Sequence, residues 1–150
     1  MIDIIRTNSQ NQDFIELVKL LDVDLANRDG EDHAFYDQFN KIDTIKHCLV
    51  AYGNKKPIAC GGIKQFDFNT MEIKRMYVLP KYRGKKIAQK ILSELENWAI
   101  ELGIEKCILE TGKKQPEAIS LFKKCDYKLT LNYGQYASIE NSVCFEKFLL

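Results

Sequence analysis

The residues best suited to chemistry lie in one stretch, where an apolar segment ends at Pro80 and a Gly- and Lys-rich loop leads into a long amphipathic helix. The start of a helix presents unpaired N–H groups and the positive end of the helix dipole. The loop adds three cations there, Arg83, Lys85 and Lys86. Together these features predict a site for the phosphates of a bound ligand. A solvated basic helix start would have the same sequence, so these residues alone leave both interpretations open.

Two familiar phosphate-binding motifs are absent from the chain. The P-loop pattern GxxxxGK(S/T) does not occur, and no GxGxxG follows the apolar segment. The stretch instead resembles the acetyl-CoA-binding motif Arg/Gln-x-x-Gly-x-Gly/Ala of the GNAT superfamily of N-acetyltransferases, which lies at a strand–loop–helix junction. The resemblance is carried by Val78-x-Pro80-x-x-Arg83-Gly84-x-x-Ile87-Ala88.

A second resemblance lies in residues 115–127. This segment is similar to a later helix of the superfamily, usually Asn-x-x-Ala-x-x-x-Tyr-x-x-x-Gly-Phe/Tyr. The order of the predicted elements also matches that of the superfamily, so the resemblance extends over the whole chain. The segment reads Gln115-Pro116-Glu117-Ala118-Ile119-x-Leu121-Phe122-x-x-x-Asp126-Tyr127.

The resemblance implies acetyl-CoA as the co-substrate, with no metal, and assigns residues to its parts. The pantetheine arm would take the place of a missing neighbouring strand and pair with the backbone of Met76 and Val78. Gln115 and Phe122 would line the pantetheine and the thioester. The pyrophosphate would be held by backbone amides of Arg83, Gly84, Lys85, Lys86, Ile87 and Ala88.

Two positions depart from the superfamily pattern without removing the expected cofactor site. Lys86 stands where the family usually has Gly. If the position is helical, Lys is tolerated there. If the Gly is needed so that the backbone can approach the ligand closely, the Lys side chain would crowd the ligand. We expect binding to be retained, since the Lys86 amide remains available and its charge favours phosphate. Asp126 replaces the usual Gly before Tyr127, and Asp tolerates a left-handed turn better than most residues.

Phe122 is the departure that bears on catalysis. It replaces the Tyr that relatives often use to protonate the leaving thiolate, and a phenyl ring has no proton to give. Tyr133 and Tyr136 are the nearest substitutes in sequence and become the predicted proton donors. Ordinary packing at a strand crossing would explain the same two tyrosines, and the thiolate would then leave with help from solvent.

Acetylation of an amine requires a neutral nucleophile. A lysine-like amine with a pKa of about 10.4 is neutral roughly once in 10³ to 10⁴ at pH 7, which costs about 4–5 kcal/mol. A base must therefore remove a proton. Glu72, at the start of the strand that leads to the cofactor loop, is the predicted base, and Glu110 at the end of the next strand is its competitor. Either carboxylate would also serve as a salt-bridged edge residue.

The acceptor site is predicted near the first helices, as the resemblance implies. His33 lies there in Asp29-Gly30-Glu31-Asp32-His33, an acidic run that would attract a cationic amine and raise the pKa of His33. We predict His33 as a substrate-binding residue, with a solvated loop as the alternative.

The elements that must position these residues follow from apolar periodicity. The pattern predicts an α/β fold with a mixed central sheet, an antiparallel N-terminal meander and about four flanking helices, in one domain over residues 1–150. Helices are predicted at Gln12–Ala26, Ala34–Phe39, 84–102 and Glu117–Lys124. Strands are predicted at 2–6, Cys48–Tyr52, Pro57–Lys64, Met71–Leu79, Lys106–Thr111, Tyr127–Leu131 and Ser142–Leu149.

Composition is that of an ordinary globular protein, with 45% hydrophobic and 29% charged residues, and this excludes a disordered chain. No apolar run approaches the roughly 20 residues that span a bilayer, and no signal peptide is visible, so the cytoplasm is the expected location. The five cysteines are scattered singly, which predicts free thiols without disulfides or zinc.

The net charge of +1 divides into −6 over residues 1–43 and +7 over residues 44–150. A basic body and an acidic N-terminal segment would suit a polyanionic cofactor and a cationic co-substrate, although chance clustering on solvated helices would give the same division. A nucleic-acid-binding module is disfavoured because the net charge is near zero and no basic stripe is interleaved with aromatics.

Two functions stay open at this point. The first is an acetyl-CoA-dependent N-acetyltransferase whose partner is a small-molecule or peptide amine. The second is a non-catalytic acyl-CoA-binding or sensing protein of the same fold, which the residue Phe122 makes credible. Neither a nucleic acid nor a membrane is an expected partner, and a homodimer is common in the family.

Overall fold

The computed structural model describes residues 1–30 and 45–149, which form one seven-stranded sheet with helices packed against it. The helices are α1 (Gln12–Asp29), α2 (Ile87–Glu101) and α3 (Pro116–Lys124). The strands are β1 (Ile2–Thr7), β2 (His47–Gly53), β3 (Lys56–Asp67), β4 (Thr70–Val78), β5 (Lys106–Gly112), β6 (Lys128–Thr130) and β7 (Ser142–Phe148).

The strands lie in the order β1-β2-β3-β4-β5-β7-β6. Strands β1 to β4 pair antiparallel in succession, so the predicted meander is confirmed. The pairing of β4 with β5 is parallel, whereas β7 pairs antiparallel with both β5 and β6, so the sheet is mixed as predicted. The predicted helix Ala34–Phe39 lies outside the described residues. Across 1–30 and 45–149, no helix combines the length and apolar character that a membrane span needs.

The two faces of the sheet carry separate apolar clusters. On one face α1 buries Phe14, Leu17 and Leu21 against residues of β2, β3 and β4, including Tyr77. On the other face α2 and α3 pack on a larger cluster that contains Met71 and Ile73 of β4. Successive side chains of a strand point to opposite faces. Glu72 and Lys74, which alternate with those two residues, therefore lie on the α1 face.

The close approach of α2 to the sheet depends on a glycine in β3. A Cβ atom at Gly61 would lie 2.9 Å from Cγ2 of Ile91 and 3.2 Å from Cδ1 of Leu95. Side chains of α2 thus occupy the space that any other residue at Gly61 would need. This packing fixes the position of the α2 N-terminus beside the end of β4.

Strands β4 and β5 are joined over a short distance only. Their register pairs are Thr70 with Lys106, Met71 with Cys107, and Glu72 with Ile108. Beyond these pairs β4 continues to Val78 against β3, while β5 continues to Gly112 against β7. The strands therefore separate and leave a cleft at the centre of the sheet, and one backbone edge of β4 faces it.

A bulge in β4 lies beside this cleft. The register between β3 and β4 shifts there, and Arg75 has a φ of 58°. An extra residue of this kind bends the strand and increases its twist. The Arg75 guanidinium is buried and donates to the Asp22 carboxylate on α1, so the bulge is tied to the helix above it.

The predicted helix over 84–102 begins later than expected, at Ile87. Gly84 has a φ of 77° and Lys86 a φ of 64°, values that no right-handed helix contains. Residues 83–86 are therefore a loop that delivers the chain to the helix. Apart from Ala34–Phe39, which lies outside the described residues, the other predicted elements are found, with ends that differ by up to three residues.

All five cysteines are free thiols. Cys48, Cys60, Cys107 and Cys144 are buried, as apolar core residues are. Burial raises the pKa of the Cys48, Cys60 and Cys107 thiols to about 12, so these groups stay protonated and unreactive at neutral pH.

Candidate active site

A cavity of about 520 Å³ occupies the cleft between β4 and β5. Its walls come from α1, β4, the loop before α2, β5 and α3. The loop end is basic and the end near Glu72 holds buried ionisable groups. The two ends therefore offer different chemistry to a bound molecule.

The loop end has the features of an anion site. A 3₁₀ turn at Pro80–Tyr82 leads into Arg83, and the first helical hydrogen bond of α2 runs from the Lys90 amide to the Lys86 carbonyl. The amides before Lys90 lie ahead of that ladder, where a helix has no internal partners for them. The first turn of α2 contains no acidic residue. An anion here would meet backbone donors and the positive end of the helix dipole.

The structure corrects the expectation for Lys86. The residue is not inside a helix, since it precedes α2 with φ 64° and ψ 19°, in the left-handed region. Such a conformation costs a residue with a Cβ atom about 1–2 kcal/mol. The usual Gly at this position thus has a conformational reason, and the helix propensity of Lys does not compensate for it. Lys86 lines the cavity, so its charge is available to an anion.

Replacing Lys86 with Gly should stabilise the protein. The substitution removes the left-handed strain, and the extra freedom of Gly in the unfolded chain offsets part of the gain. We expect the free energy of unfolding to rise by about 0.5–1 kcal/mol. Urea denaturation measures this directly. Lys86→Ala is the matched control: it removes the same charge but keeps the Cβ atom, and it should not stabilise. Equal stabilisation by both variants would mean that charge, and not backbone strain, is responsible.

The Arg83 side chain ties the loop to the end of β4. Its Nε donates to the Val78 carbonyl at 2.8 Å, and its guanidinium lies 5.4 Å from the centre of the Tyr77 ring. Arg83 and Gly84 both line the cavity. Lys85 does not; its Nζ lies 5.5 Å from the Tyr82 ring centre. Among the loop cations, Arg83 and Lys86 are therefore the ones placed to act on a ligand in the cleft.

The walls between the two ends are largely apolar. Met76 and Val78 line the cavity on the β4 side, and Gln115 and Phe122 line it on the α3 side. Phe122 is 7% exposed and packs edge-on against Tyr127, with ring centres 5.9 Å apart. No proton donor exists at the Phe122 position. The turn after α3 is closed by Asp126 in the left-handed conformation, with a φ of 72°, as the sequence suggested.

The far end of the cavity is built around Glu72, whose residue is 5% exposed. Its Oε2 accepts a hydrogen bond from the Tyr133 hydroxyl at 2.7 Å, and its Oε1 lies 3.9 Å from Lys74 Nζ. Glu110 lies across the cleft on β5 and also lines the cavity. Tyr136 lines it as well and packs edge-on against Tyr133, with ring centres 5.8 Å apart.

Both tyrosines are held in their protonated form. Burial, together with the charge and the hydrogen bond of Glu72, raises the pKa of Tyr133. Burial and the charges of Glu110 and Glu72 raise the pKa of Tyr136. Neither hydroxyl acts as a base near neutral pH, so each is a proton or hydrogen-bond donor.

Most of the predicted site residues meet at this one cavity. Tyr133 and Lys85 are not among its lining residues: the Tyr133 hydroxyl contacts Glu72, and Lys85 Nζ lies beside the Tyr82 ring. His33 lies outside the described residues. Those that do line the cavity are Glu72, Met76, Val78, Arg83, Gly84, Lys86, Ile87, Ala88, Gln115, Phe122 and Tyr136.

Lys74 and Arg28 also line the cavity, and no role was predicted for them from the sequence. The sequence could have indicated Lys74, because a residue two positions from Glu72 in a strand lies on the same face of the sheet. It could not have indicated Arg28, which forms an ion pair between α1 and Glu117 on α3. In the described part of the chain, no cluster of His, Cys, Asp and Glu is arranged to hold a metal ion.

Comparison with known proteins identifies the class to which this fold and cleft belong. Residues 14–127 match the profile of the Acetyltransferase (GNAT) family, and this segment is most of the chain. The protein therefore belongs to the GNAT family of acetyltransferases, and the resemblance noted in the sequence is confirmed.

Individual relatives agree with this assignment. An IAA acetyltransferase of Azospirillum brasilense is 32% identical over 100 residues, which cover 66% of this chain and 65% of that protein, just under two thirds of its length. The crystal structure of a putative acyl-CoA N-acyltransferase from Klebsiella pneumoniae covers 100% of this chain and 99% of its own, with 26% identity and a TM-score of 0.82. The PaiA N-acetyltransferase of Thermoplasma acidophilum, solved in complex with coenzyme A, has a TM-score of 0.73 at 20% identity and covers 99% of both chains.

Proposed function

We propose that the protein is an N-acetyltransferase that moves an acetyl group from acetyl-CoA to a primary amine by direct attack. The observation that carries the proposal is the cleft between β4 and β5, which connects the anion-binding start of α2 with the buried carboxylate of Glu72. Acetyl-CoA has the matching form, with phosphates at one end and a reactive thioester at the other.

In this proposal the cofactor completes the interrupted sheet. Its pyrophosphate is held by backbone amides from Arg83 to Ala88 and by the charge of Lys86. Its pantetheine arm lies in the gap between the strands, where the backbone of Met76 and Val78 on β4 supplies hydrogen bonds as a strand neighbour would. Gln115 and Phe122 cover the arm from the α3 side.

Glu72 is the proposed general base. It removes a proton from the acceptor ammonium, the neutral nitrogen attacks the thioester carbonyl carbon, and the carbon–sulfur bond breaks. The nitrogen loses a second proton as the amide forms, and this proton replaces the one that the leaving thiolate takes from its donor. The hydrogen bond from Tyr133 fixes the Glu72 carboxylate at the wall of the cavity. Glu110 stays the competing base, because it lines the same cavity from β5.

Tyr136 is the proposed donor of a proton to the leaving thiolate. Phe122 cannot serve, and the Tyr133 hydroxyl is engaged with Glu72. Tyr136 lines the cavity and is protonated, so it combines location with a proton to give. Tyr133 then has a positioning role, through its contact with Glu72.

Binding and turnover are the two measurements that test this function. We expect calorimetry to show acetyl-CoA binding at one site per chain, and a panel of amines to release free CoA thiol in its presence. Absence of binding would refute the proposal. Binding without thiol release from any amine would instead support the second candidate, a non-catalytic acyl-CoA sensor, which the apolar Phe122 at the usual donor position favours.

Four further points stay predictions from the sequence: a cytoplasmic location, a homodimer, a single domain and the role of His33.

A further inference from the structure

A buried lysine lies at the acceptor end of the cavity, and the proposed mechanism does not use it. Lys74 lines the cavity, and its side chain is 7% exposed. Because it is two residues from Glu72 on β4, both side chains lie on the α1 face. A lysine is almost never buried to this extent without electrostatic compensation.

The charges that face Lys74 come from several strands. Its Nζ lies 3.9 Å from Glu72 Oε1, which is an ion-pair distance but too long for a hydrogen bond. Glu110 on β5 also attracts it, whereas Lys64 on β3 and Arg75 on β4 repel it. Burial lowers the pKa of Lys74, and the two carboxylates oppose that shift by favouring the ammonium form.

This arrangement places a cation and a carboxylate side by side on one wall. Each of these charges is withdrawn from water, so each interacts more strongly than a surface charge with a ligand group of opposite sign placed directly beside it. Glu72 and Glu110 would attract the amine that reacts. A group in direct contact with Lys74 Nζ would be attracted if it is a carboxylate and repelled if it is a second ammonium.

We propose that the acceptor is a small amine that also bears a carboxylate, such as an amino acid, with Lys74 Nζ binding the carboxylate while Glu72 receives the amine. The inference rests on the proposed acetyltransferase function and names the substrate class of that site. An α-amino acid has its nitrogen and its carboxylate on one carbon, so it can reach both of these neighbouring groups. Lys74 is a specificity-determining residue in this scheme.

Matched acceptors provide the first test, using the unaltered protein. Glycine and alanine are compared with glycinamide and alaninamide, and with the diamine putrescine, by the rate of thiol release at saturating acetyl-CoA. We expect kcat/KM to be about 10- to 100-fold higher for each amino acid than for its amide, the range for one charge-assisted hydrogen bond. The amides have the more easily deprotonated amine, so a preference for the carboxylate cannot come from intrinsic reactivity.

A variant provides the second test. Lys74→Met keeps a long unbranched side chain without charge; it should raise KM for the amino acids about 10- to 100-fold and leave KM for the amides within about twofold. Lys74→Arg should retain most of the preference. Lys64→Met, a neighbouring cation that does not line the cavity, is the control and should change neither value. Calorimetry should show acetyl-CoA affinity unchanged in all three.

The outcomes separate this inference from the function on which it rests. Equal use of amino acids and amides, preferential acetylation of putrescine, or a preference that survives Lys74→Met would overturn the inference and leave the acetyltransferase intact. If acetyl-CoA binds and no amine is acetylated, the proposed function itself fails. Should Lys74→Met not fold, the comparison of matched acceptors on the unaltered protein still decides.

Discussion

Replacing Glu72 with Gln should lower kcat/KM for amine acetylation by about 10²- to 10⁴-fold, the range that a positioned general base contributes. The amide keeps the shape of the side chain and can still accept the hydrogen bond from Tyr133, so the site should remain assembled. Acetyl-CoA affinity should not change, because Glu72 lies at the opposite end of the cavity from the loop. Steady-state thiol release and calorimetry measure the two quantities.

Glu110→Gln is the matched control for this experiment. It makes the same chemical change on the other side of the cleft. If Glu72 is the base, the Glu110 variant should retain most of the activity. Full turnover by Glu72→Gln between about pH 6 and 9 would show that Glu72 is not the base, and a large loss in the Glu110 variant would transfer the role to β5.

Replacing Arg83 with Glu should weaken acetyl-CoA binding by about 100-fold. The change removes the hydrogen bond that ties the loop to the Val78 carbonyl, and it places a negative charge beside the amides proposed to hold the pyrophosphate. Because the effect is electrostatic, it should shrink as salt is added. Calorimetric titration at two salt concentrations measures both effects.

Lys81→Glu controls for the overall change in charge. It reverses the same charge two residues away, on an exposed side chain outside the cavity. We expect its acetyl-CoA affinity to stay within about threefold of the unaltered protein, since Lys81 does not line the cavity and an exposed charge away from the ligand is largely screened. Equal affinity of the Arg83→Glu variant and the unaltered protein would show that the pyrophosphate loop is assigned wrongly.

The sequence predicted the outline of the fold because its periodic signals are local. Short apolar stretches defined the strands of the meander, and the 3–4 spacing of Ile87, Ile91 and Leu95 defined α2. Both patterns report which side chains a single element buries. They carry little information about the backbone at the ends of elements, which explains why α2 was predicted to begin at residue 84 when it begins at Ile87.

The candidate site was predictable where a motif specified it, and unpredictable where it depended on pairing between distant segments. The loop residues and Glu72 came from the strand–loop–helix pattern. The separation of β4 from β5 depends on which of their residues pair across the sheet. The contact of Tyr133 with Glu72 joins residues 61 positions apart. The left-handed conformation of Lys86 is set by the loop geometry, against the preference of the residue itself.

If acetyl-CoA binds as proposed, the short junction between β4 and β5 would also make the stability of the protein depend on the supply of this metabolite. If acetyl-CoA fills the gap in the sheet and does not bind the unfolded chain, it adds RT ln(1 + [L]/Kd) to the free energy of unfolding, about 2.7 kcal/mol at a concentration 100 times Kd. This increment is a large fraction of the free energy of unfolding of a small domain. In a cell, the abundance of this protein would then rise and fall with the acetyl-CoA pool, because chaperones and proteases act on the unfolded fraction. A half-life under proteolysis that does not respond to acetyl-CoA would contradict this link.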